Sequence, residues 1–169
     1  MFSGCLKGFY YINNMNIHIL AVGNKMPNWV ETAVSDYAKR FGRDIKLILK
    51  EIKPEKRNNT SATQCMLEEE KRIRAALPDK PYLVILDEHG TNVTSLKLSQ
   101  YIDFWKQNNI HPCFIIGGAD GISGSLKKDA DLTLRLSDLT LPHGLARVLL
   151  VEQLYRAVSI LENHPYHRE

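Results

Sequence analysis

Cysteine is scarce in this sequence of 169 residues, and its three cysteines are widely separated. Cys5, Cys65 and Cys113 form no C-x-x-C pair, and an odd, scattered set favours neither a disulfide framework nor a zinc site. A reducing compartment is the simplest setting for such a chain. We therefore expect a cytoplasmic protein that is not held together by disulfides.

Long hydrophobic runs are also missing. No stretch approaches the roughly 20 apolar residues that a membrane helix needs, so the sequence predicts no membrane span. Residues 1–14 are interrupted by Gly4 and Gly8 and lack the apolar region and cleavage site of a signal peptide. Because Met15 immediately precedes a strand pattern, we interpret residues 1–14 as an upstream extension and residues 15–169 as one domain.

The charge balance favours no function strongly. Twenty-two basic residues against 19 acidic ones give a formal net charge of +3, which permits a nucleic-acid partner without arguing for one. The chain has 44% hydrophobic and 24% charged residues, which is typical of a globular protein with a sizeable core. It contains no repeats and no low-complexity tracts.

Short apolar segments alternate with amphipathic ones along the chain. Residues 16–22 and 82–86 are largely apolar, as in buried strands of a parallel sheet, whereas residues 45–52 partly alternate and indicate a strand nearer the edge. The helix at residues 145–161 is apolar around most of its circumference, so we expect part of its surface to meet a second copy of the chain. The pattern predicts a single α/β domain with a mostly parallel sheet flanked by helices.

Polar residues mark the starts of several helical segments. Asn28, with Glu31 three residues later, indicates a capping box, and Thr94 or Ser95 indicates the N-cap of another helix. Residues 61–77 form a helical pattern rich in charged side chains. Such a charge run is usually a solvated face.

Three segments near predicted strand ends are rich in glycine or hydrogen-bonding residues. Residues 86–90 close the strand that begins at Tyr82, residues 117–121 follow a strand at residues 113–116, and residues 137–143 precede the last helix. Ligands of open α/β sheets bind beyond the carboxyl ends of the strands. The sequence therefore predicts a small-molecule pocket at that edge of the sheet.

Three other interpretations of these motifs are weaker. The glycine-rich segment lacks the G-x-G-x-x-G order of a nicotinamide site, and Gly121 to Ser125 lacks the final glycine of a nucleophile elbow. His164 and His167 could ligate a metal, but a proline lies between them and no carboxylate cluster accompanies them. We therefore expect no metal.

Six blocks of sequence carry a resemblance to a known family. They are Ala21–Pro27, Leu86–Gly90, Ile116–Gly121, Leu139–His143, Glu152–Ala157 and His164–Glu169. In this order they resemble the SPOUT-class methyltransferases that modify N3 of a pseudouridine in the 23S RNA of the bacterial large ribosomal subunit. The resemblance covers Met15 to Glu169.

The resemblance implies a fold, a cofactor and an assembly. The fold is SPOUT-type α/β with a C-terminal trefoil knot, the assembly is an obligate homodimer, and the methyl donor is S-adenosylmethionine. It also implies a set of residues around the cofactor, which coincides with the three segments identified from the pattern. These residues are Leu86, Gly118, Ser137, Asp138, Leu139, Thr140, Leu141 and Pro142.

The C-terminal tail is the candidate carrier of the chemistry. A neutral imidazole with a pKa near about 6.5 can accept a proton, so we expect His167 to be the base or to orient the uracil ring. Tyr166 would then stack on the base or hydrogen-bond to it, and Arg168 would hold a phosphate. Lys25 is a second candidate RNA contact. If one subunit's tail covers the other's cofactor pocket, the site is composite.

The expected substrate is a stem-loop of 23S ribosomal RNA, and we expect recognition on the assembled ribosome rather than through a strongly basic surface. Two alternatives stay open. A non-catalytic ribosome-binding factor would keep the fold but bind no S-adenosylmethionine. A SPOUT methyltransferase acting on transfer RNA would fit the class equally well.

Overall fold

The computed structural model describes residues 14–167, and of His167 it describes the backbone alone. Within that part of the chain five strands alternate with five α-helices, and a short 3-10 helix follows. The elements are β1 Met15–Val22, α1 Asn28–Ala38, β2 Ile45–Ile52, α2 Ala62–Ala76, β3 Tyr82–Asn92, α3 Ser95–Gln107, β4 Pro112–Ile116, α4 Gly124–Lys128, β5 Leu132–Arg135, α5 His143–Leu161 and the 3-10 helix Pro165–His167. The predicted alternation of strands and helices is confirmed.

The five strands form one sheet in the order β2-β1-β4-β3-β5, and every neighbouring pair is parallel. β2 is an edge strand, as its partly alternating pattern predicts, and it exposes Lys46 and Lys50. Lysines on an edge strand discourage pairing with another chain. β4 lies at the centre of the sheet and is buried along its whole length.

Helices cover both faces of the sheet, which explains the nearly continuous apolar runs in β1, β3 and β4. On one face α1, α3 and α5 pack around a core that includes the fully buried Trp105, whose ring meets that of Phe114 edge-on at 5.9 Å between centroids. On the other face α2 and α4 contribute Ile73 and Leu126 to a second core. The fold is thus a parallel α/β sandwich of three layers, and the trefoil knot stays a prediction.

The prediction that the third strand stops at Leu86 is wrong. β3 continues to Asn92, and its pairing with β5 shifts register between Leu86 and Thr91. The polar residues 87–90 therefore form an irregularity within the strand. Bulges of this kind change the direction in which side chains point beside a functional site. The composition of residues 87–90 resembles that of a loop.

Two predicted helix starts lie close to the observed ones, whereas the N-cap predicted for α1 is wrong and α5 begins at His143, two residues before the predicted Leu145. The hydroxyls of Ser61 and Thr94 accept hydrogen bonds from the first turns of α2 and α3, at 3.2 and 3.1 Å. The capping box at Asn28 is absent, because Pro27 is the N-cap and its carbonyl accepts from Val30 at 2.9 Å. Asn28 is the first residue of α1, whereas a capping side chain must belong to the residue before the helix, so Asn28 cannot cap α1.

Candidate cofactor pocket and C-terminal tail

A cavity of about 710 Å³ lies at the carboxyl edge of the sheet. Its walls come from the ends of β1 and β4, the irregular part of β3, the glycine turn after β4 and the segment between β5 and α5. Six of the eight residues expected around the cofactor line it, namely Leu86, Gly118, Ser137, Leu139, Thr140 and Leu141. The three segments singled out in the sequence therefore do meet at one place.

The two remaining residues of that set flank the cavity without lining it. The Asp138 side chain is largely exposed and forms an ion pair with Arg135 at 2.8 Å. Pro142 is the N-cap of α5, with an extended ψ of 146°. Asp138 links the segment between β5 and α5 to the end of β5, and Pro142 marks the point at which this segment becomes α5.

The glycine turn leaves its backbone open to a ligand. A Cβ atom added at Gly118 would lie 2.6 Å from Oε2 of Glu69 and 3.1 Å from Cγ1 of Val22, so a larger residue would fill this part of the cavity. Gly121 has a φ of +85°, as its position in a tight turn predicts, and its N–H donates to the Gly118 carbonyl at 3.0 Å. A side chain at Gly118 would therefore displace the Glu69 carboxylate, whereas Gly121 needs glycine for its backbone conformation.

The start of α5 brings a histidine and a buried cation to the cavity. His143 lines the cavity, and its Nε2 accepts a hydrogen bond from Nε of Arg147 at 3.2 Å. The same guanidinium donates to Glu51 at 2.6 Å and to the Gly23 carbonyl at 3.1 Å, although Arg147 is only 2% exposed. Burial, and next the nearby Arg147 charge, lower the pKa of His143, so its imidazole is neutral at pH 7.

Acidic side chains surround the cavity, and most of them have cationic partners. Asp87 pairs with Lys127, Glu55 with Arg72, and Asp120 with Arg57 at 2.9 Å. Burial raises the pKa of Asp87, but hydrogen bonds from Lys127 and the His89 backbone outweigh it, so the pKa is lowered overall. Glu69 also lines the cavity and is buried, without an ion pair among the residues described.

The C-terminal tail folds back against α1 and α5 of its own chain. The Tyr166 hydroxyl lies 3.0 Å from Oε1 of Glu152 and 3.1 Å from the Tyr37 hydroxyl. Its ring packs edge-on against Tyr155 at 4.8 Å, and the Arg156 guanidinium lies 4.9 Å from the ring centroid. Burial, and next the hydrogen bonds to Tyr37 and Glu152, raise the pKa of Tyr166, so the phenol stays protonated.

Among the described residues of the tail, none lines the cavity of the same chain. Tyr166 is absent from the residues that line the cavity within the described part of the chain. The side chain of His167 and all of Arg168 lie outside the described residues. Lys25 is exposed, with a φ of +53°, between Gly23 and Met26, both of which line the cavity.

The part of the chain from residue 14 to residue 167 contains no group of three or more histidine, cysteine, aspartate or glutamate side chains arranged to hold a metal ion. No helix in the same range is long and apolar enough to cross a membrane. The buried thiol of Cys113 has a pKa raised by burial to about 12, and it is therefore unreactive at neutral pH.

Comparison with known proteins agrees with this architecture. A family model described as "Predicted SPOUT methyltransferase" matches residues 15–167. Proteins named "Ribosomal RNA large subunit methyltransferase H" are 60% identical in Neisseria meningitidis, 61% in Neisseria gonorrhoeae and 56% in Chromobacterium violaceum. Each alignment covers 156 residues, which is 92% of this chain and 100% of the relative.

A solved structure, the SpoU methyltransferase AviRb from Streptomyces viridochromogenes in complex with AdoMet, aligns at 14% identity with a TM-score of 0.42. The alignment covers 85% of this chain and 58% of that one. The family match spans nearly all of the described residues, and the curated relatives are matched over their whole length. The chain therefore belongs to the SPOUT methyltransferase family.

Proposed function

We propose that this chain is an S-adenosylmethionine-dependent methyltransferase that methylates N3 of a pseudouridine in a stem-loop of 23S ribosomal RNA on the assembled ribosome. The observation that carries the proposal is the meeting of three separate segments at one cavity beside the strand ends. The shared length and the name of the relatives at about 60% identity support the RNA substrate. Action on ribosomes implies a cytoplasmic protein.

The cavity fits a cofactor of this size and chemistry. Its volume of about 710 Å³ is within the range of small-molecule sites, and its walls combine apolar side chains such as Leu86 and Ile116 with a few polar groups. The space beside Gly118, which a Cβ would fill, lets a ligand approach the backbone closely. Leu86, Gly118 and the segment 137–142 would hold the cofactor, with Asp138 and Pro142 fixing the shape of that segment.

S-adenosylmethionine supplies a methyl group that is already activated by the sulfonium. The chain then has two tasks: to hold the acceptor nitrogen in line with the methyl group and to remove the N3 proton. We assign proton removal to His167. Tyr166 is a poor base because its pKa is raised and its hydroxyl already donates to Glu152.

Tyr166 and Arg168 have supporting roles in this scheme. The bonds from the Tyr166 hydroxyl to Glu152 and Tyr37 fix the point from which the next two residues extend. Arg168 contacts a phosphate of the RNA, and Lys25, exposed beside the cavity, makes a second RNA contact. The target base must be unpaired or turned out of its stack to enter such a site.

We also propose a homodimer with a composite active site. Leu96 on α3 is 59% exposed, and no other described residue covers it; Leu145 on α5 is 44% exposed as well. A groove of about 870 Å³ between α3 and α5 shares Arg135 and Leu136 with the cofactor cavity. A second copy over this groove would therefore adjoin the cavity, and its tail would complete the site, since residues 164–166 of the same chain do not line the cavity.

The decisive experiment is transfer of labelled methyl groups from S-adenosylmethionine to 23S RNA, isolated large subunits and assembled ribosomes in parallel, followed by mass spectrometry of the nucleosides. We expect one N3-methylated pseudouridine, formed on ribosomes and not on free RNA. A protein that binds no S-adenosylmethionine would instead be a ribosome-binding factor. Transfer RNA is the fourth substrate, and its methylation without that of ribosomes would identify a SPOUT methyltransferase that acts on transfer RNA.

A further inference from the structure

One buried carboxylate in the cavity wall lacks a cationic partner. Glu69 lies on α2 and is only 6% exposed. Its Oε1 accepts a hydrogen bond from the Glu55 N–H at 2.9 Å, and its Oε2 faces Gly118. Within residues 14–167, Oε2 has neither a hydrogen bond nor an ion pair, and it is not fully buried, so this half of the carboxylate is open to the cavity.

The neighbouring acids show how unusual this is. Asp87, Glu55 and Asp120, which also line the cavity, each form an ion pair with a lysine or an arginine. Glu70, next to Glu69 on α2, is equally buried but accepts hydrogen bonds from Ser123 at 2.5 Å and Ser125 at 2.6 Å and pairs with Arg74. The protein thus satisfies each of these carboxylates and leaves Glu69 incomplete.

Because Oε2 is accessible from the cavity, water can solvate it when no ligand is bound. A ligand that displaces this water must bring a hydrogen-bond donor of its own, since a carboxylate oxygen left without one costs free energy. The oxygen cannot face the carboxylate of S-adenosylmethionine or its adenine ring nitrogens, because those groups are acceptors as well. The cofactor carries O–H donors on its ribose and N–H donors on its α-ammonium group and on the 6-amino group of adenine. All three belong to the part of the cofactor that is shared with the reaction product S-adenosylhomocysteine, and 2′,3′-dideoxy-5′-methylthioadenosine, which keeps only the 6-amino group, separates this donor from the other two.

We propose that Glu69 is a cofactor-binding residue whose Oε2 accepts a hydrogen bond from the ribose hydroxyls or the α-ammonium group of S-adenosylmethionine. The inference rests on the proposed function, since it takes S-adenosylmethionine as the ligand of this cavity. Gly118 has a second reason to be glycine, because any side chain there would stand between the carboxylate and the ligand.

The hydrogen bond to Glu55 gives Glu69 a fixed orientation. Glu55 is in turn held by Arg72, whose Nη1 also donates to the Lys53 carbonyl at 2.8 Å. The loop between β2 and α2 is therefore attached to the same carboxylate that faces the cofactor. In Glu69→Gln an NH2 group, which cannot accept a hydrogen bond, replaces one of the two carboxylate oxygens. The variant therefore loses either the bond from the Glu55 N–H or the bond from the ligand, while the side chain keeps its size and shape.

The test compares wild type, Glu69→Gln and Glu69→Ala by calorimetry with S-adenosylmethionine, S-adenosylhomocysteine and 5′-methylthioadenosine. We expect both variants to bind the first two ligands roughly tenfold to a hundredfold more weakly. An equal loss for 5′-methylthioadenosine, which lacks the amino acid, assigns the bond to the ribose. An unchanged affinity for it assigns the bond to the ammonium group.

Controls separate this role from a structural one. Glu68→Gln removes a carboxylate from the same helix that pairs with Lys71 on the surface, and it should leave all affinities unchanged. The 2′,3′-dideoxy form of 5′-methylthioadenosine carries neither donor group, so it should bind wild type and both Glu69 variants equally. A difference with this ligand, or equal affinities of wild type and variants for S-adenosylmethionine, would overturn the role of Glu69. Failure of wild type itself to bind would count against the proposed function instead.

Discussion

Arg147 shows how one buried side chain can connect three separate parts of the molecule. Its guanidinium holds Glu51 on β2, the Gly23 carbonyl after β1 and His143 at the start of α5. We expect Arg147→Met to lower the free energy of unfolding by about 2 kcal/mol, less than for a fully buried pair because Glu51 is partly exposed. Urea denaturation measures this, and Arg40→Met, which removes an exposed pair with Asp36, is the control.

His143 makes the stability depend on pH. Its pKa is lowered in the folded protein, by burial first and then by Arg147, whereas the unfolded chain protonates it near about 6.5. The unfolded state therefore binds more protons below that value, and the free energy of unfolding should fall as the pH decreases from about 7 to 5. Burial lowers the pKa of His18 as well, which adds a second contribution of the same sign.

The variant His143→Gln isolates the first of these contributions. Glutamine can still accept the hydrogen bond from Arg147 but has no proton to gain, so unfolding curves at about pH 7, 6 and 5 should show a smaller loss of stability than in wild type. The His18 contribution remains in both proteins. Identical pH profiles would show that His143 is not the titrating group.

The open backbone positions of the site are predictable from the sequence, whereas its buried charges are not. Closely spaced glycines marked residues 117–121, because they indicate a backbone that turns tightly or lets a ligand approach. Hydrogen-bonding residues marked the segment 137–143, and the individual cofactor residues came from the family resemblance. Glu69 stands in a run of three glutamates, a pattern that usually marks a solvated helix face, yet Glu69 and Glu70 both point inward. Arg147 is a cation within an apolar helix, and only the packed structure shows which groups it reaches.

At the scale of elements, α5 links the cofactor cavity to the tail. Its first residue, His143, lines the cavity, and Glu152, farther along, anchors Tyr166. Loss of the Tyr166 hydroxyl should loosen the point from which His167 extends without changing the cavity. We expect Tyr166→Phe to reduce methyl transfer roughly tenfold to a hundredfold while the calorimetric affinity for S-adenosylmethionine stays unchanged.

The matched control for this prediction is Tyr155→Phe. Tyr155 belongs to the same aromatic cluster and packs on Tyr166, but its hydroxyl is not part of the bonds to Glu152 and Tyr37. Its substitution should therefore have little effect on transfer. Equal losses in the two variants would mean that aromatic packing, and not the hydrogen bonds, positions the tail.

The strands and helices followed from periodicity, but two local features did not. The composition of residues 87–90 predicts a loop, whereas the register shift keeps them in β3 because β5 offers a partner beyond the irregularity. The first turn of α1 begins one residue earlier than Asn28 suggests, because Pro27 already has the geometry of an N-cap. In each case the side chains allow two conformations, and the backbone beside them, β5 for residues 87–90 and Pro27 for Asn28, selects one of the two.

At the scale of the whole molecule, the alternating pattern predicts a parallel sheet with helices on both faces, and the structure has one. Periodicity gives the elements and their faces. Periodicity does not show how the loops that connect the elements thread past one another, so the prediction of a trefoil knot rests on the family resemblance alone. The residue pattern also says little about the assembly. An apolar helix predicts that the chain has a partner, but it does not predict which residues of the partner belong to the active site.

A heterodimer of two inactive variants tests the composite site. Gly118→Val should block the cofactor cavity, because its side chain would overlap the space before Glu69. Deletion of residues 164–169 should leave cofactor affinity within a few-fold of wild type and abolish methyl transfer. Each homodimer should therefore be inactive.

If each site combines one subunit's cavity with the other's tail, the heterodimer places the intact cavity and the intact tail in one site and both defects in the other. Two different affinity tags allow the heterodimer to be purified after co-expression, and it should transfer methyl groups at about half the wild-type rate. If instead each chain uses its own tail, both sites carry one defect and the heterodimer stays inactive. Wild type purified with the same two tags gives the reference rate, and sedimentation that shows only monomers would exclude the composite site altogether.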